Sequence, residues 1–230
     1  MSLGLRNSQI GSKSLREFLS RSSMKFDGSD DVVTTNIDST LATKTYSFWL
    51  KSSDTGHNPV FDHGASNVGA FHLNLSGNRP FIYLGNTAYR DFQENAKQDD
   101  GLWHHYVVLI NADITKARLF IDSEEQTVNS TVSSGTPNAY TSGLRIGRAS
   151  DVYFSGSLDE FAIFDGDQTD IQEDKDFRRK LYNNGQPTKL TVLKPANIGT
   201  DYLDHWYRMG EGKLGTKSDG GRNLLFVKGP

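Results

Sequence analysis

The chain offers few groups that could carry out catalysis. It has no cysteine, which excludes a thiol nucleophile, a disulfide framework and a thiolate zinc site. A glycosidase needs two carboxylates flanking the bond that is cleaved, one as acid and one as base or nucleophile. The nearest candidates are the neighbouring pairs Asp159-Glu160 and Glu124-Glu125, and adjacent strand residues point to opposite faces. We therefore expect no catalytic residues and a protein that is not an enzyme.

Six histidines and three tryptophans are the other side chains that could bind a metal ion or a ligand. His104 and His105 are consecutive in a predicted strand, so only one can face inward, and the other four are scattered. A metal site needs several such ligands at fixed spacing together with a carboxylate, so we interpret the histidines as surface or hydrogen-bonded strand residues. Trp49, Trp103 and Trp206 could stack on sugar rings, but each lies in an apolar strand context, which favours core packing.

Composition and charge narrow the class of protein further. The 230 residues carry a net charge of −3 and 35% hydrophobic residues, which is ordinary for one large domain or two small ones. Nucleic-acid-binding proteins normally show a basic excess, so we expect no nucleic-acid partner. The longest apolar runs, such as Val107 to Ile110, are too short to span a bilayer, and residues 1–21 lack the hydrophobic stretch of a secretion signal. We expect neither membrane insertion nor export by a signal peptide.

The first 22 residues differ from the rest of the chain in net charge and form a basic arm. Four basic residues against one acidic residue give this arm a charge of +3, so the whole chain's −3 leaves −6 for the remainder. Its amphipathic segment Leu15, Phe18 and Leu19 is too short to be a stable free helix. The arm is therefore either a frayed terminus or an element that becomes ordered when it docks on a partner.

From Met24 onward, short β-rich runs alternate with clusters of Gly, Asn, Asp and Ser, a pattern typical of an antiparallel sandwich. The alternation is clear where Tyr46, Phe48 and Leu50 share one face of a strand. The predicted strands are residues 23–26, 32–35, 44–50, 59–62, 70–75, 81–84, 103–110, 117–122, 126–132, 144–147 and 157–164, with a closing strand at 223–227. One helix is predicted, with Thr169 or Asp170 as its cap and Asn184-Gly185 as its end.

Several segments resemble, in order, the consecutive motifs of the concanavalin A-like, laminin G-type jelly-roll module. They are Met24-Lys-Phe-Asp-Gly-Ser-Asp-Asp-Val-Val33, Tyr46-Ser-Phe-Trp-Leu-Lys51, Asp100-Gly-Leu-Trp-His-His-Tyr-Val-Val108, Ala117-Arg-Leu-Phe-Ile-Asp122, Leu144-Arg-Ile-Gly147 and Phe154-Ser-Gly-Ser-Leu-Asp-Glu-Phe-Ala-Ile-Phe164, and the resemblance extends to Tyr182-Asn-Asn-Gly185. It implies an all-β fold, a two-sheet antiparallel jelly-roll sandwich with one short peripheral helix. The chain departs from the family at Ser123, where a glycine usually follows the strand, and this predicts a different turn.

The resemblance also implies two positions for calcium, which is common in such modules. They are Asp27, in the Phe-Asp-Gly segment, and Asp159, in the Ser-Leu-Asp-Glu segment. Calcium takes about six to eight oxygen ligands, with backbone carbonyls completing the shell. An aspartate beside Gly28 is equally suited to an Asx turn, so both interpretations of Asp27 remain open. No other cofactor is expected.

The last segment resembles the tail that follows this jelly roll in structural proteins of tailed bacteriophages. It contains Trp206-Tyr-Arg-Met-Gly-Glu-Gly212 and ends with Asp219-Gly-Gly-Arg-Asn-Leu-Leu-Phe-Val-Lys-Gly-Pro230. We expect Trp206 and Met209 to pack back on the sandwich. The predicted organisation is therefore an arm over residues 1–22 and a single domain over residues 23–230, of which residues 188–230 are a C-terminal extension.

These resemblances imply a non-enzymatic virion structural protein, either a capsid decoration or a tail or fibre component. It would be made in the host cytoplasm, carried in many copies on the particle, and bound to other virion proteins with the arm as a docking element. A lectin-like sheet that adheres to host or environmental glycans is a natural second role. The alternatives are a carbohydrate-binding module outside any virion and, disfavoured by the missing carboxylate pair, a glycoside hydrolase of the sandwich type.

Overall fold

Strands with alternating apolar side chains build two antiparallel sheets whose inner faces share one hydrophobic core. The fold is seen in a computed structural model, which describes residues 22–35, 37, 44–63, 69–74, 76–85, 88–133, 143–165, 175–188, 190, 203–209 and 225–228. The strands are β1 (Met24–Asp27), β2 (Asp31–Thr34), β3 (Lys44–Lys51), β4 (Asn58–His63), β5 (Ala70–Leu73), β6 (Phe81–Leu84), β7 (Ala88–Phe92), β8 (His104–Ile110), β9 (Arg118–Ile121), β10 (Glu124–Glu125), β11 (Val128–Val132), β12 (Leu144–Ile146), β13 (Arg148–Ala149), β14 (Val152–Tyr153), β15 (Ser155–Asp165), β16 (Leu203–Tyr207) and β17 (Leu225–Lys228). The helix α1 covers Lys175–Tyr182, and short 3-10 helices lie at Ala96–Gln98, Ile114–Lys116 and Asn183–Gly185.

The described strands divide into two large sheets and a small hairpin. Sheet I has seven strands in the order β1-β15-β3-β8-β9-β10, with β16 also paired to β15. Sheet II has eight strands in the order β11-β7-β6-β5-β4-β12-β2-β17. The pair β13-β14 forms a separate two-stranded ribbon. Each sheet therefore has one face toward the core and one outer face.

Aromatic rings from both sheets form the centre of the core. The ring of Phe48 on β3 stacks on Phe161 of β15 at a centroid distance of 5.2 Å and on Tyr106 of β8 at 5.6 Å. From sheet II, Phe61 meets Phe48 edge to face at 6.1 Å, and Phe71 lies at 6.2 Å. Such offset and edge contacts add to the stability that burial of these large rings provides.

Strand β15 connects most of sheet I. Its first part pairs with β1, from Asp27 opposite Ser155 to Met24 opposite Leu158. Its last part pairs on the same edge with β16, from Tyr207 opposite Phe161 onward, while β3 occupies the other edge. Between the two parts the register with β3 shifts by one residue, and Glu160 has a left-handed φ of 49°. An extra residue of this kind is a β-bulge, which bends the strand and redirects its side chains.

The outer face of sheet I is partly covered by α1, and the Trp206 side chain of β16 lies on the same face. A second hydrophobic cluster lies there and consists of Val107, Phe120, Ala162, Phe164, Leu181, Leu190 and Trp206. The guanidinium of Arg178 on α1 lies 4.3 Å from the centre of the Phe120 ring, which is a cation–π contact. None of the described helices is long and apolar enough to cross a membrane.

The predicted fold class, an all-β antiparallel two-sheet sandwich with one short helix, is confirmed. The main omission from the prediction is β7. Its residue Arg90 lies on the inner side, where the guanidinium donates hydrogen bonds of 2.6 and 2.7 Å to the carbonyls of Thr115 and Ala117. A charged residue at an inward position removes the apolar alternation on which strand prediction depends. The predicted helix cap at Thr169 or Asp170, and the arm before Ser22, lie outside the described residues.

The C-terminal segment contributes a strand to each sheet. Strand β16 extends sheet I along β15, and β17 pairs with β2 in sheet II. Trp206 and Met209 are 4% and 1% exposed, which confirms that these two residues pack back on the sandwich.

The turn between β9 and β10 is a two-residue hairpin formed by Asp122 and Ser123. Asp122 and Ser123 have φ values of 51° and 69°, so both central residues of this two-residue hairpin are left-handed. This is the type I′ geometry, for which glycine is favoured at the second position. Ser123 thus adopts a conformation that glycine favours, and the prediction of a turn different from the family's stays a prediction.

We expect Ser123→Gly to stabilise the protein. A left-handed L-residue costs roughly 1–2 kcal/mol, and glycine's greater freedom in the unfolded chain offsets about half of the gain. The free energy of unfolding in urea should therefore rise by about 0.5–1 kcal/mol. Ser29→Gly, at a turn residue that is not left-handed, is the control and should not stabilise the protein. An unchanged or lower unfolding free energy for Ser123→Gly would contradict the argument.

Candidate functional site

Three aromatic rings form a cluster on the outer face of sheet II. Along β6, Ile82 and Leu84 point into the core, so Phe81 and Tyr83 point outward. Tyr89 on β7 is the cross-strand partner of Tyr83, and the two ring centroids are 5.7 Å apart. Phe81 lies 5.9 Å from Tyr83 and 5.5 Å from Tyr89. We name these three residues the aromatic platform; its two tyrosines are partly exposed.

A row of cross-strand neighbours connects the platform to a charged pair. The residues in this row are Arg145, Asp62, Ala70, Tyr83 and Tyr89, each directly opposite the next. Arg145 donates through Nε to Oδ1 of Asp62 at 2.7 Å and through a second nitrogen to Oδ2, a bidentate pair. Burial raises the pKa of Asp62, and the Arg145 guanidinium opposes that shift. The small side chain of Ala70 separates this pair from the rings.

A second polar group lies on the other side of the platform. Asp91, opposite Phe81, accepts a hydrogen bond from Nδ2 of Asn129 at 2.8 Å and another from the hydroxyl of Ser130. Its Oδ2 also lies 3.0 Å from Nε of Arg79, which forms an ion pair with it. The pKa of Tyr83 is raised by burial and by the nearby Tyr89 and Asp91, so the Tyr83 hydroxyl remains a donor at neutral pH. The face thus combines ring surfaces with oriented donors and acceptors.

The histidines have structural partners, as predicted. Nε2 of His57 lies 2.8 Å from Nδ1 of His72, and the His72 ring meets Tyr83 edge to face at 5.3 Å, which supports the platform. Nε2 of His63 lies 2.6 Å from the Tyr46 hydroxyl. Of the consecutive pair on β8, His105 is hydrogen-bonded to the Ser47 hydroxyl, and His104 to the carboxylates of Asp100 and Asp122. The interpretation as hydrogen-bonded strand residues is confirmed for His63, His72, His104 and His105, whereas His57 is hydrogen-bonded but precedes β4.

The two residues predicted for calcium lie at different places. Asp27 belongs to a turn in which its Oδ1 accepts the backbone N–H of Ser29 at 2.8 Å, and its carboxylate lies within 4.8 Å of those of Asp30 and Asp31. Asp159 is four positions beyond Ser155, the partner of Asp27, along β15, a separation of roughly 13 Å. The two aspartates are too far apart to bind one ion. Oxygen donors such as those around Asp27 suit a hard cation, and calcium there stays a prediction.

The neighbouring carboxylates of β15 lie on the same face of sheet I, so the expectation of opposite faces was wrong. Asp159 is paired with Trp49, whose side chain is on the outer face against His105 and Tyr182. The bulge brings Glu160 to that same face, where Oε2 accepts Nε1–H of Trp206 at 2.6 Å and Oε1 lies 3.3 Å from Nε of Arg208. Glu160 therefore holds the C-terminal strand in place. This role differs from that of a general acid.

The core-packing interpretation holds for two of the three tryptophans. Trp49 and Trp206 are 5% and 4% exposed, but Trp103 is 38% exposed. Trp103 precedes β8 rather than lying in it, so its side chain is not part of the alternation that buries Tyr106 and Val108. The aromatic platform was also missed, because its second strand, β7, was not predicted.

The fold has relatives of known structure and a matching family. Residues 26–172, well over half of the chain, match the laminin G-type family model described as the Concanavalin A-like lectin/glucanases superfamily. The chain belongs to this superfamily. The resemblance to a concanavalin A-like, laminin G-type module is thereby confirmed. Among curated proteins, none matches the chain significantly.

Solved structures similar to this concanavalin A-like chain share its fold at low sequence identity. The native heptameric SAP-like pentraxin from Limulus polyphemus has a TM-score of 0.59 and 12% identity, over 90% of this chain and 92% of that one. A candidate carbohydrate binding protein from Bacteroides ovatus has a TM-score of 0.56 and 13% identity, over 90% and 60%. Domains LG4–5 of the mouse laminin α1 chain have a TM-score of 0.50 and 14% identity, over 64% and 43%. None of these matches concerns a tailed-phage virion protein.

The superfamily contains both lectins and glucanases, so membership does not choose between binding and hydrolysis. The described residues give this concanavalin A-like module a lectin-like jelly-roll fold with an aromatic and polar outer face.

We expect the stability of the module to fall as pH is lowered below about 6.5. Burial lowers the pKa of His63 and His72 to about 3 and that of His105 to about 4, whereas all three return to near 6.5 in the unfolded chain. Between these values the unfolded state binds more protons, so the free energy of unfolding decreases by up to about 1.4 kcal/mol per pH unit for each histidine.

The histidine contribution can be isolated at His72. His72→Leu should reduce the slope of unfolding free energy against pH between about pH 4 and 6, since it removes one such proton-binding group. Tyr83→Phe, on the same face, is the control and should keep the wild-type slope. Urea denaturation at a series of pH values gives both slopes. Equal slopes for His72→Leu and wild type would refute the assignment.

Proposed function

We propose that this chain is a non-enzymatic, lectin-like protein that binds glycans through the outer face of sheet II and is displayed on the virion of a tailed phage. The observation that carries the glycan-binding part is the aromatic platform beside two fixed polar groups. Sugar rings have apolar C–H faces and a rim of hydroxyls. A sugar-binding site therefore needs aromatic ring surface for the C–H faces and oriented hydrogen-bonding groups for the hydroxyls.

The polar groups near the platform are held in position before any ligand arrives. Arg145 is oriented by the bidentate contact with Asp62, and Arg79 by its ion pair with Asp91. Asn129 and Ser130 lie on the exposed strand β11 and are tied to the same Asp91 carboxylate. A preformed arrangement lowers the entropy that binding must cost, which favours recognition of weakly held ligands such as sugars.

The same contacts argue against hydrolysis at this face. A glycosidase needs one carboxylic acid and one carboxylate on either side of the bond it cleaves. Both carboxylates next to the platform, Asp62 and Asp91, are engaged with arginines and other donors.

The proposed virion location is supported by the C-terminal segment, which resembles the tail of phage structural proteins. Its residues Trp206, Arg208 and Met209 have definite structural partners: Glu160 binds the first two, and the third lies in the main core. Display in many copies would raise the avidity of a face whose single contacts are weak. The basic arm, with a charge of +3, would dock on an acidic surface of another virion protein.

We expect the double variant Tyr83→Ala/Tyr89→Ala to bind polysaccharide at least about tenfold more weakly, because the ring surface is lost. Binding is measured on an array of bacterial surface polysaccharides, with thermal melting as the check of folding. Tyr153→Ala, which removes a half-buried tyrosine from the separate β13-β14 ribbon, is the matched control and should bind as wild type. Wild-type binding by the double variant would rule out the platform as the contact surface.

The virion part of the proposal has its own test. Mass spectrometry of purified particles of the phage that encodes this chain should detect it in many copies. A chain found in the lysate but absent from purified particles would leave the alternative, a carbohydrate-binding module outside any virion. Deletion of residues 2–21 should abolish incorporation while leaving polysaccharide binding intact, and unchanged incorporation would place docking elsewhere.

A further inference from the structure

A cavity of 290 Å³ lies on the outer side of sheet I, on the opposite side of the sandwich from the aromatic platform. The side chains that define it are Trp49, Trp103, Asp159, Ser22, Ser23 and Gln186. Trp49 and Asp159 are cross-strand partners on β3 and β15, so they lie side by side in the cavity wall. The cavity is near the lower end of the range for small-molecule sites, about 300–1,000 Å³. It therefore has room for one ring-sized ligand rather than a chain.

The end of α1 creates this cavity. The chain leaves the helix through Asn184 and Gly185, both left-handed with φ of 54° and 84°, and Gln186 and Pro187 then follow along the cavity rim. Because the helix stops at Tyr182, it covers only part of the outer face of sheet I. The region around Trp49 and Asp159 is left open on one side.

The Trp49 indole and the loop that carries Trp103 are held in position by the protein. The Trp49 ring stacks on Tyr182 at 6.0 Å and contacts His105 at 5.2 Å. Trp103 is 38% exposed, but the loop that carries it is fixed. The N–H of Gly101 donates to the Ser52 carbonyl and that of Leu102 to Asp100, each at 2.8 Å.

An exposed indole on a fixed loop, in the same cavity as a nearly buried carboxylate, is suited to a specific kind of ligand. Asp159 is 6% exposed and accepts the Glu160 N–H at 2.8 Å, which sets the direction of its carboxylate. Carboxylates form short, strong hydrogen bonds with hydroxyl groups. The two serines and Gln186 add further donors and acceptors. No lysine or arginine is among the described residues that line the cavity.

We propose that this cavity is a second, separate ligand site that takes a single neutral sugar ring of pyranose size. The C–H face of the ring would lie on the Trp103 indole, and its hydroxyls would donate to Asp159 and exchange hydrogen bonds with Ser22, Ser23 and Gln186. The site rests on the proposed function only in the class of ligand, since its residues are distinct from those of the platform.

The Asp159 carboxylate also gives the site a selectivity. A uronic acid would place a second negative charge beside it, and like charges this close in a partly desolvated site repel each other. Neutral sugars should therefore bind, and sugars that differ only by a carboxylate should be rejected. Asp159→Asn keeps an acceptor but removes the charge, so it should bring the affinities for the two kinds of sugar closer together.

The test uses methyl glycosides of glucose, galactose and N-acetylglucosamine as neutral probes and methyl glucuronide as the charged probe. Binding to the full chain is followed by saturation-transfer NMR and by tryptophan emission. We expect at least one neutral probe to bind wild type, and Trp103→Ala to weaken it at least about tenfold. Leu102→Ala removes the adjacent side chain, which is 62% exposed and outside the cavity, and should bind as wild type.

Further variants separate this site from folding defects and from the platform. Trp103→Phe retains a ring and should recover part of the affinity lost in Trp103→Ala. Tyr83→Ala/Tyr89→Ala should leave monosaccharide binding unchanged, so failure of the platform and failure of the cavity give different results. The proposal is overturned if no neutral probe binds the folded wild type, if Trp103→Ala binds like wild type, or if methyl glucuronide binds wild type as well as the neutral probes do.

Discussion

One extra residue in β15 determines how the two ends of the module and its outer surface are arranged. At Glu160 the strand bulges, so two acidic side chains in succession face outward while Leu158 and Phe161 both remain in the core. The first of these carboxylates lies in the cavity wall, and the second binds Trp206 and Arg208. Without the bulge one of the two would point into the packed aromatic rings, where an unpaired charge costs several kcal/mol by order of magnitude.

The two outer faces of the sandwich are chemically different. Sheet I is partly covered by α1, which leaves a small cavity, open on one side, with two indoles and one carboxylate. Sheet II carries its tyrosines and ion pairs on a broader surface. A broad face suits an extended glycan, and a small cavity suits a single ring. The two outer faces of one fold thus suit ligands of two sizes, an extended glycan and a single sugar ring.

The sequence predicts the sheets well because burial of one strand face leaves a period of two, as in Tyr46, Phe48 and Leu50. It fails where a side chain breaks that rule for a structural reason. Arg90 points inward, where its guanidinium donates to two backbone carbonyls, and β7 is therefore not predicted from the sequence. Strand β7 carries Tyr89, one of the three platform residues. Trp103 follows the apolar Leu102, so the sequence predicts that it is buried in a strand, but strand β8 begins only at His104. The bulge at Glu160 has no local signature, since a left-handed glutamate depends on the partner that Trp206 provides.

The position of Ser22 and Ser23 at the cavity determines which side of the module would face a support attached at this end of β1. These residues lead directly into β1, an edge strand of sheet I, so Ser22 is a point of attachment on the side of sheet I. If the module is tethered through that segment, sheet II and its tyrosines face away from the support, and the cavity faces toward it. The outer face of sheet II would then be open to the surroundings. The cavity would be reached only by ligands small enough to enter the space beside the tether.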